Sequence, residues 1–441
     1  MTQNPKTRTA QVRLAAKRRR KSLRRKRVLE ARRRRGWQGR TSGLLGFIAR
    51  AMNVSPGKPD RETVIRFPSE FSFIDNPDAT MDSLRGLVRA SLTRGVKVLD
   101  IDQSECMLID HGAASVLSAV GIEARSSIGL RFRGSFPESE RERHIVLSTG
   151  LPKALGVDLP EPQGFLHFPL RSGRRGTPDA DRSQLAEVTA TQISEHVNRC
   201  LERYEFCLTY GGARYVSSLV GEVLGNAEDH SGRRKWWVSG YLRQAPNKPY
   251  GTCHITIFSF GRTIAETMSD LPEDSMLARR MDELIHMHSR RALFLPGKWE
   301  PDNLRTVYAL QEGVSRHNTG THYLGDRGKG TADLIDFFQR LGQSGDGSVE
   351  PRMCLVSGRT HISFDERFPM KEMRFQGRPA RVIAFNKAND LENPPDPKAV
   401  RWLKRPFPGT LISLRFYLDA QHLKRIRRPA PSGETPDDTR T

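Results

Sequence analysis

Apolar and polar positions recur with a period that changes along the chain, and each change predicts a different element. Between about residues 63 and 158, the run Val64-Ile65-Arg66-Phe67 predicts an edge strand and Thr80 to Arg94 a helix. Val96 to Ile101 then predicts a buried strand, Ala113 to Val120 a helix of small residues, and Ile128 to Phe132 a further strand. Strands alternating with helices at this spacing predict an α/β unit with a mainly parallel sheet. From about residue 184 the order is different. Leu185 to Tyr204 and Ala213 to His230 carry helical periodicity, and strand-like runs follow at Trp236 to Leu242, Cys253 to Phe260, Met353 to Val356, Val382 to Phe385 and Leu411 to Leu418. Two helices and then several strands, with a helical insertion from Ser275 to Glu312 between two of them, predict an α+β sandwich.

Breaks in the pattern divide the chain. A short amphipathic piece around Leu44 to Met52 is followed by Pro56-Gly57-Lys58-Pro59, a boundary, and RSGRRGTPDADR from Arg171 to Arg182 reads as a linker by composition. The expected organisation is a basic disordered tail over 1–57, the α/β domain over 58–160, a linker over 161–183 and the second domain over 184–428. A disordered end, PAPSGETPDDTRT, covers 429–441. No internal repeat is visible.

Charge sharpens this division. The 441 residues hold 72 Lys and Arg against 50 Asp and Glu, a formal +22, with 37% hydrophobic residues. Residues 1–40 carry 17 of the bases and a single acid, Glu30, for +16, so the remainder is only mildly basic at +6. Blocks such as Lys17 to Lys21 and Arg32 to Arg35 repel one another and stay solvated. Dense arginine around one aromatic, Trp37, suits attachment to nucleic-acid phosphates without base specificity, and the tail lacks the apolar face of a membrane anchor. The longest nearly uncharged apolar run, Gly112 to Ile122, is far below the roughly 20 residues that span a bilayer. The first residues lack the apolar core of a secretory signal, and the five cysteines are scattered without a Cys-x-x-Cys pair. A cytoplasmic protein without a disulfide framework or zinc site is expected.

The most informative segment is Leu219-Val220-Gly221-Glu222-Val223-Leu224-Gly225-Asn226-Ala227-Glu228-Asp229-His230. At 100° per residue, Glu222, Asn226 and Asp229 fall within about 60° of one another, and Val220, Val223, Leu224 and Ala227 lie on the other side. A carboxylate and a carboxamide one turn apart can orient a water and ligate Mg²⁺, as metal-assisted phosphoryl chemistry requires. Two later motifs matter. Ile255 to Ile264 is an apolar strand running into a Gly turn. Leu324-Gly325-Asp326-Arg327-Gly328-Lys329-Gly330-Thr331 is a Gly-rich loop opening a helix, where backbone N–H groups and Lys329 and Arg327 can meet phosphate. His286 and His288 diverge by about 200° around a helix, which disfavours them as joint metal ligands.

In this order the three segments resemble the GHKL superfamily of ATP-binding domains, which includes the histidine-kinase catalytic domain, Hsp90, MutL and bacterial anti-sigma factors. Glu222-x-x-x-Asn226-Ala227 is similar to the N box, Ser259 to Ile264 to the first Gly box, and Gly328-x-Gly330 to the second, with Ser275 to Thr321 as the lid. The resemblance implies a Bergerat-type α/β sandwich binding ATP and Mg²⁺. Glu222 would activate the attacking group, Asn226 would ligate Mg²⁺, Asp229 on the same face would join in binding the cofactor, and Arg327, Gly328, Lys329, Gly330 and Thr331 would hold phosphates. Gly261 would approach the adenine edge. The first Gly box departs from the family's Asp-x-Gly-x-Gly, with Ser259 for the Asp and Thr263 for the second Gly, so the adenine amino group would meet a neutral hydroxyl.

The middle part, with Val98-Leu99-Asp100-Ile101, Leu108 to Leu117 and Leu147 to Leu151, resembles a STAS domain, the anti-sigma-factor-antagonist fold. Phosphorylated members carry Ser after the Asp at a helix start. His111 stands there in this sequence, with Ser115 nearby. His196 is followed by Val197-Asn198-Arg199, so no sensor-kinase phosphoacceptor helix is present. Together the resemblances imply an ATP-binding regulator acting on a protein partner, as an ATPase, a serine/threonine kinase or a binding switch. The competing reading is a nucleic-acid-associated scaffold with a degenerate nucleotide pocket.

Overall fold

The structure, a computed structural model, describes residues 43–57, 64–157, 159–160, 164–175, 184–244, 248, 250–273, 275–292, 300–314, 330–340, 350–375 and 378–427. The helix Gly43–Ala51 comes first, then strands β1 (Val64–Arg66) and β2 (Glu70–Phe71) and the helix Pro77–Leu92. Strands β3 (Val98–Asp102) and β4 (Leu108–Ile109), the helix His111–Ile128, β5 (Arg131–Ser135) and the helices Glu140–Ser148 and Leu151–Ala154 complete the first part. The second part begins with β6 (Phe165–Arg174), the helices Gln184–Glu202 and Tyr210–His230, and strands β7 (Lys235–Gln244) and β8 (Tyr250–Phe260). Helices Ile264–Met268, Met276–Ala292, Pro301–Ala309 and Gly330–Arg340 precede β9 (Arg352–Phe364), the hairpin β10 (Lys371–Phe375) and β11 (Arg378–Val382), β12 (Val400–Asp419) and the helix Ala420–Arg427.

The architecture is mixed α/β with several sheets. As the alternation predicts, β1, β3 and β5 pair in parallel, in that order, with β1 at an edge. The second part forms a five-stranded antiparallel sheet, β6-β7-β8-β12-β9. Side chains alternate across it. Trp237 and Tyr241 on β7, Phe258 and Phe260 on β8 and Leu411 on β12 join the core of the first part. Trp236 and Val238, Cys253 and Ile257, and Ile412 and Leu414 join the core under the later helices. A sheet covered on both faces needs apolar residues at consecutive positions, which is why its strands read as unbroken apolar runs.

The two parts therefore share a core, and polar contacts reinforce the joint. Ser115 Oγ lies 2.7 Å from Ser239 Oγ, and His361 Nε2 lies 2.8 Å from the Phe73 carbonyl. Arg352 and Arg415 both reach Asp75, at 3.1 and 3.3 Å.

Three sequence expectations need correction. The segment 1–57 is not a tail throughout: Leu45, Ile48, Ala49 and Met52 of the Gly43–Ala51 region are buried in the first core, because the charge blocks stop at Arg40 and an apolar face begins. Residues 1–42, including the whole basic segment, lie outside the described residues, as does the expected end at 429–441. The linker over 161–183 contains β6. This edge strand shifts register between Phe168 and Arg171, around Pro169, and faces solvent at several positions, so its composition mimics a connection. The strand expected over Val382 to Phe385 ends at Val382, where the chain leaves the hairpin. Among the described residues no helix is long and apolar enough to cross a membrane.

Candidate functional site

The Tyr210–His230 helix is capped by Thr209, whose hydroxyl accepts from the Gly212 N–H at 3.0 Å. Val216, Leu219, Val220, Val223 and Leu224 bury one side of it. The opposite side therefore turns Glu222, Asn226 and Asp229 into a cleft of about 780 Å³. The cleft floor is the sheet: Ser259 and Ile257 from β8, Thr410 and Ile412 from β12, and Leu355 from β9. Gly330 and Thr331, the first residues of the Gly330–Arg340 helix, close one side.

Six predicted residues from three separated segments thus meet: Glu222, Asn226, Asp229, Ser259, Gly330 and Thr331. Arg327, Gly328 and Lys329 lie outside the described residues. Gly261 is not among the residues lining the cleft, and its backbone makes a close approach to the helix end. A Cβ there would strike the carbonyl of Ser231, the residue ending the Tyr210–His230 helix, and the Arg262 N–H donates to that same carbonyl at 2.9 Å. Its missing side chain lets the turn after β8 pack under the helix end. Thr263, in the second Gly position of the box, caps the Ile264–Met268 helix in a reciprocal arrangement with Glu266.

Gly330 is required by a close approach. A Cβ at this position would overlap the Glu222 carboxylate, so the start of the Gly330–Arg340 helix and the Glu222 side chain are in direct contact.

Two hydroxyls, Ser259 and Thr410, lie on the floor, and a third, Ser357 on β9, bonds Thr410. Ser259 faces Thr410 across β8 and β12, and Thr410 faces Ser357 across β12 and β9. Thr410 Oγ1 and Ser357 Oγ are 2.9 Å apart, and Ser357 Oγ accepts from the Ile264 N–H at 2.8 Å. Hydroxyls both donate and accept, so this floor can meet either kind of polar edge on a flat ring lying between Ile257 and Ile412.

Three further residues were missed by sequence reasoning. Arg175, directly after β6, donates to Asp229 at 2.7 Å. Glu228, 3% exposed, accepts from Trp236 Nε1 at 2.9 Å and ties the helix to the sheet. Arg381 of β11 reaches Glu312 at 3.0 Å, Asp336 at 3.9 Å, and Asp333 in the first turn of the Gly330–Arg340 helix. Only Glu228 had a local signal, a carboxylate at the border of an apolar helix face.

Oxygen donors from Glu222 and Asn226 suit a hard cation such as Mg²⁺. No group of three or more His, Cys, Asp or Glu among the described residues could hold a metal by itself. A Mg²⁺ here would take its remaining ligands from phosphate and water, the usual arrangement for this ion.

In the first part, Asp110 caps the His111–Ile128 helix, accepting from the Ala113 N–H at 2.8 Å. Burial pushes its carboxyl above the usual range, against bonds from Ala113, Ser72 and Ile74. His111, where the STAS resemblance places a phosphorylatable serine, is wholly buried against Tyr241, ring centroids 5.0 Å apart. Ser115 is buried on Ser239, so neither position offers a hydroxyl to solvent. No family model, no curated protein and no solved structure matches this chain.

Proposed function

We propose that the cleft binds ATP with Mg²⁺ and that the chain is a GHKL-type, ATP-dependent regulatory protein with a STAS-like first part, working in the cytoplasm on a protein partner. The observation that carries this reading is the meeting of Glu222, Asn226, Ser259 and Gly330 on one cleft, from segments far apart in sequence. A flat base fits the apolar walls over the hydroxyl floor, and the phosphates fit the N–H groups of Gly330 and Thr331.

Asn226 would give Mg²⁺ its protein oxygen, and the bound ion supplies charge neutralisation on the phosphates. Glu222 is placed to orient an attacking water or hydroxyl and accept its proton. Gly330 and Thr331 position the transferring group beside it. Ser115 and His111 are buried and are not accessible as acceptors, and the two catalytic forms of the reading are an ATPase and a serine/threonine kinase acting on a partner's hydroxyl. Ser259 favours the competing one, a scaffold whose cleft no longer holds nucleotide, since no carboxylate stands at that position.

Calorimetric titration of the full chain with ATP separates them. One site per chain is expected in Mg²⁺, weakened at least tenfold by Asn226→Ala, while Glu222→Ala retains binding and loses any turnover. Absence of binding at millimolar ATP would leave the scaffold reading.

A further inference from the structure

A second concavity, of about 920 Å³, lies between β6, the Gln184–Glu202 helix and the start of the Tyr210–His230 helix, and shares no lining residue with the nucleotide cleft. Three exposed arginines line it, one from each element: Arg171, Arg199 and Arg214. Arg171 donates to Gln192 and lies over the Phe168 ring at 4.8 Å, and Arg214 lies over the Tyr210 ring at 5.8 Å. Among the described residues none of the three pairs with a carboxylate, although one acid, Glu195, lines the same groove. Elsewhere on this surface arginines near acids are paired, as in Arg175–Asp229, Arg262–Asp270, Arg280–Glu392 and Arg405–Asp82. The groove thus concentrates positive charge that the fold itself does not neutralise.

Its aromatic content is as pointed. Tyr210 is 80% exposed, a large apolar area to leave in water, and one face of its ring already carries a guanidinium. The helix it begins has no acid in its first turn. Guanidiniums spaced along a groove neutralise successive phosphates, and an exposed ring beside them is a platform for an unstacked base. A duplex hides its base faces and cannot use that platform, and an acidic peptide gains nothing from it.

We propose that this groove binds a few nucleotides of single-stranded nucleic acid, held by Arg171, Arg199 and Arg214 at the backbone and by Tyr210 at a base. The groove's lining residues fall outside the basic segment 1–40 in sequence, and that segment can add sequence-independent phosphate contacts in the same chain.

A twelve-residue uridine-rich RNA carrying 5-iodouridine, photocrosslinked to the full chain at about 150 mM salt and mapped by mass spectrometry, tests this directly. The expected result is a crosslink at Tyr210, competed by unlabelled single strand and not by duplex of the same length. The triple variant Arg171→Gln, Arg199→Gln, Arg214→Gln should lose that crosslink and lower the salt slope of log K by about 2, at roughly 0.7 per phosphate on a single strand. Tyr210→Ala alone should weaken binding about tenfold, the scale of one stacked base. All four changes are on exposed side chains, and unchanged thermal unfolding checks the fold. Crosslinks confined to residues 1–42, crosslinking unaffected by the triple change, or displacement from Tyr210 by polyglutamate as effective as by single strand would overturn the proposal.

Discussion

Acidification is expected to destabilise the protein by roughly 4 kcal/mol per pH unit once the pH falls below about 6. His111, His254 and His361 are all buried at the joint between the two parts, the first two against Tyr241 and the third on the Phe73 carbonyl. Burial pushes His111 and His361 down to about 3, and burial together with Arg415 and His111 holds His254 well below its ordinary value. In the unfolded chain each imidazole takes a proton near pH 6.5. Below that pH the unfolded state binds protons that the folded state refuses, so stability falls as pH falls, by about 1.4 kcal/mol per unit for each histidine. The window runs from about 6.5 down to about 3. Asp110 acts in the opposite direction, since its raised carboxyl is protonated first in the folded state, and it offsets part of the loss toward the acid end. Urea midpoints at pH 7.5, 6.5 and 5.5 measure the effect, and His111→Phe should flatten the slope by about a third. A stability that does not change over this range would mean that these imidazoles are not buried neutral.

Arg381→Ala is expected to cost about 2 kcal/mol and to weaken the proposed nucleotide binding about tenfold. The guanidinium bridges Glu312, just before the segment 315–329, to Asp333 and Asp336, just after it, with side chains only 17–28% exposed. Removing one partner from a buried ion pair costs roughly 3–5 kcal/mol, and partial exposure reduces this. The effect on binding is electrostatic. Asp333 lies in the first turn of the helix whose Gly330 and Thr331 face the cleft, and without Arg381 its charge opposes an incoming phosphate. Adding Asp333→Asn to Arg381→Ala should therefore recover affinity without recovering stability, read by titration and thermal unfolding in parallel. Recovery of both together would reduce Arg381 to a structural brace.

The contrast between Glu222 and Arg381 explains how much of the site was legible. Glu222, Asn226 and Asp229 share one face of one helix, so a 3.6-residue period placed them together before any fold was known. Ser259 and Gly330 could be assigned only by resemblance, because nothing local says that β8 and the Gly330–Arg340 helix flank that face. Arg381 and Arg175 reach acids dozens of residues away and left no pattern to read. The fold divides similarly. Strands β7, β8 and β12 were visible because burial on both faces demands continuous apolar runs, whereas β6, an edge strand with a proline and two arginines, looked like a linker. The shared core escaped prediction as well: the sequence marked two domains at Pro56 and Arg171 but carried no sign that Trp237, Phe258 and Leu411 pack on the first of them.

Amide hydrogen exchange of the full chain, with and without ATP·Mg²⁺, tests the central claim most directly. Slower exchange is expected around residues 219–231 and 255–264 and at 330–335, with the groove at 167–171 unchanged, and Asn226→Ala should abolish the response. Binding of ATP accompanied by protection elsewhere, or no protection in those three segments at saturating nucleotide, would contradict the assignment of the cleft.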